Sequence, residues 1–324
     1  MTPLGETLAK PACSDHTIVS TNLSIERNLL LTHRSARLPA TCHFLEKAIM
    51  LRTLKDLEDY EISATDGTIG KVKDFYFDDH DWVVRYLVVD AGTWLTSRKV
   101  LISPHSVHDP DWNNQSLPVS LTKEQIKNSP SIDTDKPVSR QYEIDYSGYY
   151  GYPYYWGGYG IWGNDMYPYG VLAEYPDSSS MRAQREEANK DFAAAERDRH
   201  RHDDPNLRSC QEVIGYQIHA SDGEIGHVES LLVDEKTWSI RYMVVNTSNW
   251  WMGRTVLVAP PWIDSVRWAD RSVSINMTRS AIKGAPLYDA SEDLNRNLEI
   301  GLYEYYGRPG YWTDNRLYKS KVAA

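Results

Sequence analysis

From Leu51 onward, apolar and polar positions come in short runs parted by turn residues, a pattern of strands with few helices. Val83 to Asp90 is dense in β-branched and aromatic residues and runs into a Gly-containing turn. Arg98 to Ile102 forms the next strand, interrupted at Pro104, which cannot donate to a ladder. Asp66-Gly67 reads as a two-residue hairpin turn, because Gly accepts the positive φ that such turns need. Leu121 to Lys127 reads as a short helix with a capping box between Thr122 and Gln125.

The pattern then repeats. Residues 51–156 align with 207–312 at a constant spacing of 156, without a gap, and 37 of the 106 paired positions are identical, too many for chance. Asp222-Gly223 repeats the hairpin turn, and Ser239 to Asn246 and Arg254 to Val258 repeat the strands. Thr278 repeats the helix cap, although Ala281 replaces the Gln of the capping box. The register continues past the strands: Glu143-Ile144, Tyr149-Tyr150-Gly151, Pro153 and Trp156 match Glu299-Ile300, Tyr305-Tyr306-Gly307, Pro309 and Trp312. Each unit is therefore a small β domain plus an aromatic arm.

The expected organisation is a leader over 1–49, β units over 51–128 and 207–284, a Tyr/Gly/Pro-rich arm over 129–170, a charged, partly helical linker over 171–206 and a C-terminal arm over 285–324. The leader has no counterpart in the repeat; it is either a disordered extension or a stretch ahead of a natural start at Met50. Gly and Pro throughout 141–170 argue against regular structure there, while the register kept by the arms argues for a docked conformation. Met181 to Arg201 reads as a solvated connecting helix.

The net charge of -10 weighs against an electrostatic grip on nucleic acid, so no nucleic-acid partner is expected. The three cysteines form neither a disulfide framework nor a zinc spacing, which suits a reducing cytoplasm. No run of apolar residues is long enough to span a membrane, and the start of the chain lacks the pattern of a secretory signal.

The order DGxIGxV, WxxRYLVV, GTWLxxRKVLISP resembles the PRC-barrel family, carried by Asp66, Gly67, Ile69, Gly70, Val72, Arg85, Tyr86, Val88, Val89, Trp94, Arg98, Val100 and Pro104 and their equivalents 156 positions on. The family includes the cytoplasmic domain of the photosynthetic reaction-centre H subunit and the C-terminal domain of RimM-type ribosome maturation factors. The resemblance implies a mainly β fold of two small six-stranded barrels in tandem that serve interaction and assembly rather than a shared reaction. It leaves two specific alternatives: a reaction-centre-like role in light-driven electron transfer, with peripheral attachment to a membrane complex, and an RNA or ribosome maturation role.

The duplication also tests for chemistry, because a site needed in each unit should occur in both. His80, His105 and His108 become Lys236, Pro261 and Asp264, and no histidine or cysteine is shared. No catalytic residue, cofactor or metal is expected, and the chain is read as a non-enzyme. His200-Arg201-His202-Asp203-Asp204 and Asp78-Asp79 with Asp81 could hold a metal in principle, but read as a solvated tail and a polar turn. Arg85 and Arg241, in otherwise apolar strands, are expected to pair with carboxylates such as Asp78 and Asp234. Trp94, Trp250 and Trp251 in turns, with Tyr154, Tyr155 and Trp156 in the arm, are the candidate anchors for a protein partner or for self-association, since binding hot spots favour Trp and Tyr.

Overall fold

The structure is a computed structural model that describes residues 50–95, 98–130, 132, 138–156, 158–169, 207–247 and 254–313. The first unit comprises β1 (Leu51–Thr53), α1 (Leu54–Leu57), β2 (Glu61–Ala64), β3 (Gly67–Asp78), β4 (Val83–Asp90), β5 (Lys99–Ile102), β6 (Ser116–Pro118), α2 (Lys123–Lys127) and α3 (Arg140–Tyr150). The second comprises β7 (Leu207–Ser209), α4 (Cys210–Val213), β8 (Gln217–Ala220), β9 (Gly223–Asp234), β10 (Ile240–Asn246), β11 (Thr255–Val258), β12 (Ile263–Arg267), β13 (Ser272–Ile275), α5 (Arg279–Gly284) and α6 (Arg296–Tyr305). The fold is mainly β, and the elements recur in the order the duplication predicts. The proposed linker helix over Met181 to Arg201 lies outside the described residues.

Each unit is built on a curved sheet. In the first the order is β5-β4-β3-β2-β6, antiparallel except where β2 and β6 run parallel. The second repeats this as β11-β10-β9-β8-β13 and adds β12. The expected closed barrels are not formed by strand pairing: among the described residues no ladder joins β5 to β6 or β11 to β12, and an isolated Val107–Val119 bridge lies beyond the strand ends. Long β3 and β9 carry bulges at Val72/Asp74 and at Val244/Val245 opposite β9, which bend a strand and raise its twist.

Gly70 and Gly226 show why the repeat keeps glycine there. A Cβ at Gly70 would lie 1.9 Å from the Asp90 carbonyl oxygen, and one at Gly226 would lie 2.0 Å from that of Asn246. The hairpin falls one residue earlier than expected. Ala64 pairs with Gly67, so Thr65 and Asp66 form the connection and Gly67 opens β3 at φ +128°. Asp66 has a further task, since its carboxylate accepts the backbone N–H of Lys123 at the start of α2, 2.8 Å away; Asp222 does the same for Arg279 at 2.7 Å.

The sheets are completed by exchange. β1 pairs with β9 of the other unit, with Leu51 opposite Asp234, and β7 pairs with β3, with Leu207 opposite Asp78. Each pairing is the other shifted by 156, so the two units are related by a pseudo-twofold axis, an isologous arrangement within one chain. On the axis the equivalent residues Val83 and Ser239 bridge each other. The Val84 N–H donates to the Trp238 carbonyl at 2.9 Å and that of Ile240 to the Trp82 carbonyl at 2.7 Å. Both tryptophans adopt left-handed backbone, φ 56° and 58°, rare for a bulky side chain. That conformation aims each carbonyl at the other unit. One apolar core runs through both sheets and includes Phe77, Val83, Trp238 and Ile240, and a second, smaller cluster of Tyr76, Tyr86, Val88, Leu101 and Tyr146 lies where the first arm meets its sheet.

Candidate functional site

Reciprocity extends to the charges beside the exchanged strands. Arg52 pairs with Glu235 at 2.6 Å and stacks over Trp112 at 4.4 Å; Arg208 pairs with Asp79 at 2.9 Å and stacks over Trp268 at 4.4 Å. Of the three aspartates that raised the question of a metal, Asp78 faces Arg85, Asp79 faces Arg208, and Asp81 is divided between His80 and Arg85. They form a polar turn whose charges are matched by cations. The His200 to Asp204 group lies outside the described residues.

A second constellation forms where each arm helix lies on its sheet. Ser139 caps α3 and Gly151 ends it at φ 71°, so a segment whose composition argues against regular structure contains an eleven-residue helix. The helix is fixed from outside, since the Tyr149 hydroxyl donates to the Gln125 carbonyl at 2.8 Å and the Tyr146 hydroxyl to that of Leu101 at 3.1 Å. Tyr305 repeats the first anchor on Ala281 at 2.7 Å.

Beneath the helix Glu143, only 2% exposed, receives Arg140 at 2.9 Å, the Tyr155 hydroxyl at 2.6 Å and the Tyr86 hydroxyl at 3.5 Å. Arg85 stacks on the Tyr155 ring at 3.8 Å while donating to Asp78 at 3.0 Å, and Arg140 stacks on Trp156 at 4.1 Å. The second unit repeats every member: Glu299 accepts the Tyr242 hydroxyl at 2.8 Å and the Tyr311 hydroxyl at 2.9 Å and forms an ion pair with Arg296 at 2.9 Å. Arg241 binds Asp234 at 2.8 Å and lies 4.2 Å from the Tyr311 ring centre, and Arg296 lies 4.4 Å from that of Trp312.

Burial dominates the ionisation of these groups. It pushes Glu143 up to about 7, against the pull of Arg140 and the Tyr155 hydrogen bond, and raises Glu299 in the same direction. The phenols of Tyr86 and Tyr155 are driven well above their ordinary value, first by burial and then by Glu143, so they stay protonated donors. His105, found only in the first unit, is lowered to about 4 by burial; its ring stacks on Tyr152 and its Nδ1 meets the Pro168 carbonyl.

The expected pairing of Arg85 and Arg241 with Asp78 and Asp234 is what the structure shows. Tyr155, expected as a partner anchor, is instead buried and occupied by Glu143 and both arginines, and Trp156 is half-buried under Arg140. Their aromatic surface fixes the arm to its own chain. Tyr154 packs against Trp156 at 4.7 Å. Trp94 lies in the 3-10 turn Gly92–Leu95, and Trp250 and Trp251 lie outside the described residues. Sequence reasoning missed the Glu143 and Glu299 clusters. The signal was present, a carboxylate kept at the same register in two arms, but only packing shows it to be interior.

The fold defines a protein-interaction class of β module: residues 51–125 match the family model of the PRC-barrel domain. Residues 51–125 thus carry a PRC-barrel domain, and residues 207–284 repeat its element order in the second unit. No curated protein matches the chain. Among the described residues no helix is long and apolar enough to cross a membrane.

Proposed function

We propose that the chain is a non-enzymatic adaptor of the cytoplasm, two interlocked PRC-type units that hold a protein partner in an assembly. The reciprocal exchange supports this reading most directly, because each sheet already binds foreign backbone along β3 or β9 and is hydrogen-bonded to a helical arm through Tyr146 or Glu299. These are the modes by which sheets recruit peptides and helices. The polar groups that both units keep inside, Glu143 and Glu299 with their arginines and tyrosines, are engaged with one another.

Affinity purification of the full chain from its host tests the proposal. A protein partner that stays bound after nuclease treatment is the expected result; a strictly monomeric chain that retains nothing specific overturns it. Trp94→Ala and Trp250→Ala in the same assay test the turn anchors, each expected to weaken capture about tenfold or more if it acts as a hot spot.

A further inference from the structure

The two arm helices end alike and then differ. Gly151 at φ 71° and Gly307 at φ 62° reverse the chain, and the next N–H turns back onto the helix, from Tyr152 to the Ser147 carbonyl at 2.9 Å and from Arg308 to the Tyr303 carbonyl at 3.0 Å. The side chain after each reversal is therefore delivered to the same place. In the first unit rings fill it, since Tyr152 stacks on Tyr150 at 5.3 Å and on His105 at 5.1 Å. The Gln125 side chain folds back there to accept the Thr122 N–H at 2.8 Å.

The second unit changes these positions together: Tyr152 becomes Arg308, His105 becomes Pro261, Ser106 becomes Trp262 and Gln125 becomes Ala281. Trp262 packs against Tyr306 at 4.9 Å, and the Arg308 guanidinium lies 5.7 Å from the Trp262 ring centre. The result is a hollow between the end of α6 and the start of α5, lined by Ser221, Asn276, Thr278, Tyr305, Tyr306 and Arg308. Ala281 gives it only a methyl group where the first unit has a Gln. Its volume of about 450 Å³ falls within the roughly 300–1,000 Å³ of small-ligand sites.

The chemistry of the hollow is one-sided. Arg308 is its one charged side chain, and among the described residues no carboxylate lines it. Arg308 Nη2 donates to the Asn276 carbonyl at 2.8 Å, which fixes the guanidinium, and among the described residues no acceptor meets Nη1 or Nε. The Thr278 hydroxyl accepts the Ala281 N–H at 3.2 Å and keeps its own proton to donate. The Tyr305 hydroxyl spends its proton on the Ala281 carbonyl at 2.7 Å, so this 44% exposed side chain offers the apolar face of its ring. A guanidinium held by one nitrogen presents its remaining edge in the fork geometry that matches a carboxylate. One cation in a chain of net charge -10 balances a monoanion and leaves a phosphate dianion unmatched.

We propose that this hollow binds an apolar carboxylic acid, with its carboxylate on the outer edge of Arg308 and its apolar group on the Tyr305 ring. A free small acid and the C-terminal residue of another protein present the same chemistry to it. The site stands independently of the adaptor reading.

The test is an amide NMR titration of the full chain with N-acetylphenylalanine, with N-acetylphenylalaninamide as the uncharged control. Saturable one-to-one shifts are expected in residues 276–281 and 302–308, with the control weaker by about tenfold or more, the scale of a charge-assisted hydrogen bond. Arg308→Gln should weaken the acid to the same degree. Arg308→Tyr should abolish its binding without lowering the melting temperature, because the same reversal carries tyrosine in the first unit. A peptide Gly-Ser-Gly-Ser-Phe with a free C-terminus that binds more tightly than the acetylated amino acid assigns the site to a protein chain end, and equal affinity assigns it to a free acid. The proposal is overturned if the amide binds as tightly as the acid, if Arg308→Gln binds like the unmodified chain, or if shifts fail to saturate or centre elsewhere. Inorganic phosphate that displaces the acid at lower concentration overturns the carboxylate assignment. Binding seen only after removal of residues 314–324 gives the hollow to the chain's own end and overturns the proposal too.

Discussion

Glu143 lies between a guanidinium and two phenols where water does not reach, so its proton is held until about pH 7, while in an undocked arm it would leave near the ordinary 4.5. Because the docked pKa is the higher one, the stabilising contribution is complete below about 4.5 and is lost as pH rises through about 7. His105 runs the other way: lowered from 6.5 to about 4, it contributes fully above 6.5 and loses that contribution as pH falls through about 4. Thermal melts across pH 4 to 9 should therefore show the two contributions largely offsetting each other between about 4.5 and 6.5, with Glu143→Gln unmasking a rise of stability with pH over that range and His105→Asn unmasking a fall. Glu143→Ala should cost about 3–5 kcal/mol in urea unfolding, because it strands the largely buried Arg140 without its carboxylate. Gly70→Ala should cost about 1–3 kcal/mol, since the new methyl meets the Asp90 carbonyl and β3 must move away from β4.

Among elements, the exchanged strands make a prediction that two independent domains would not. Arg52 lies at a position of β1 where the alternation of the ladder puts a bonded pair with Val233, and its side chain also holds Glu235. Arg52→Pro removes the donor and the ion pair together, so the loss should appear in the other unit: amides of Leu232 to Asp234 in β9 should exchange faster, with β3 much less affected. Equal loss in both sheets, or loss confined to the first, would contradict the exchange. The arm helices show the limit of composition. Tyr, Gly and Pro favour no helix, yet α3 forms because Ser139 caps it, Gly151 terminates it and Tyr146 and Tyr149 are held by carbonyls of the sheet and α2.

For the whole molecule, one core shared by both sheets and a strand lent in each direction predict a single cooperative unfolding transition, with coincident loss of signals reporting either unit. Calorimetry in which the van't Hoff enthalpy falls to about half the measured one would instead mean that the units melt separately. The strands over Val83 to Asp90 and Arg98 to Ile102 with their repeats, the helix caps at Thr122 and Thr278 and the arm as part of the repeat were legible in the residues, because period, turn chemistry and capping act over a few positions and the duplication states each twice. The hairpin was misplaced by a single residue, since Asp66 is kept to cap α2, 57 positions away. What no local pattern carries is which sheet a strand joins: Leu51–Thr53 and Leu207–Ser209 are near-identical, and only chain packing sends each to the other unit's sheet. The same holds for the aromatic arm, where Tyr155 and Trp156 read as surface anchors and become interior partners of Glu143, Arg85 and Arg140. Burial is a property of the assembled fold, and it turns retained charges and rings from exposed contacts into the contacts that hold the two units and their arms together.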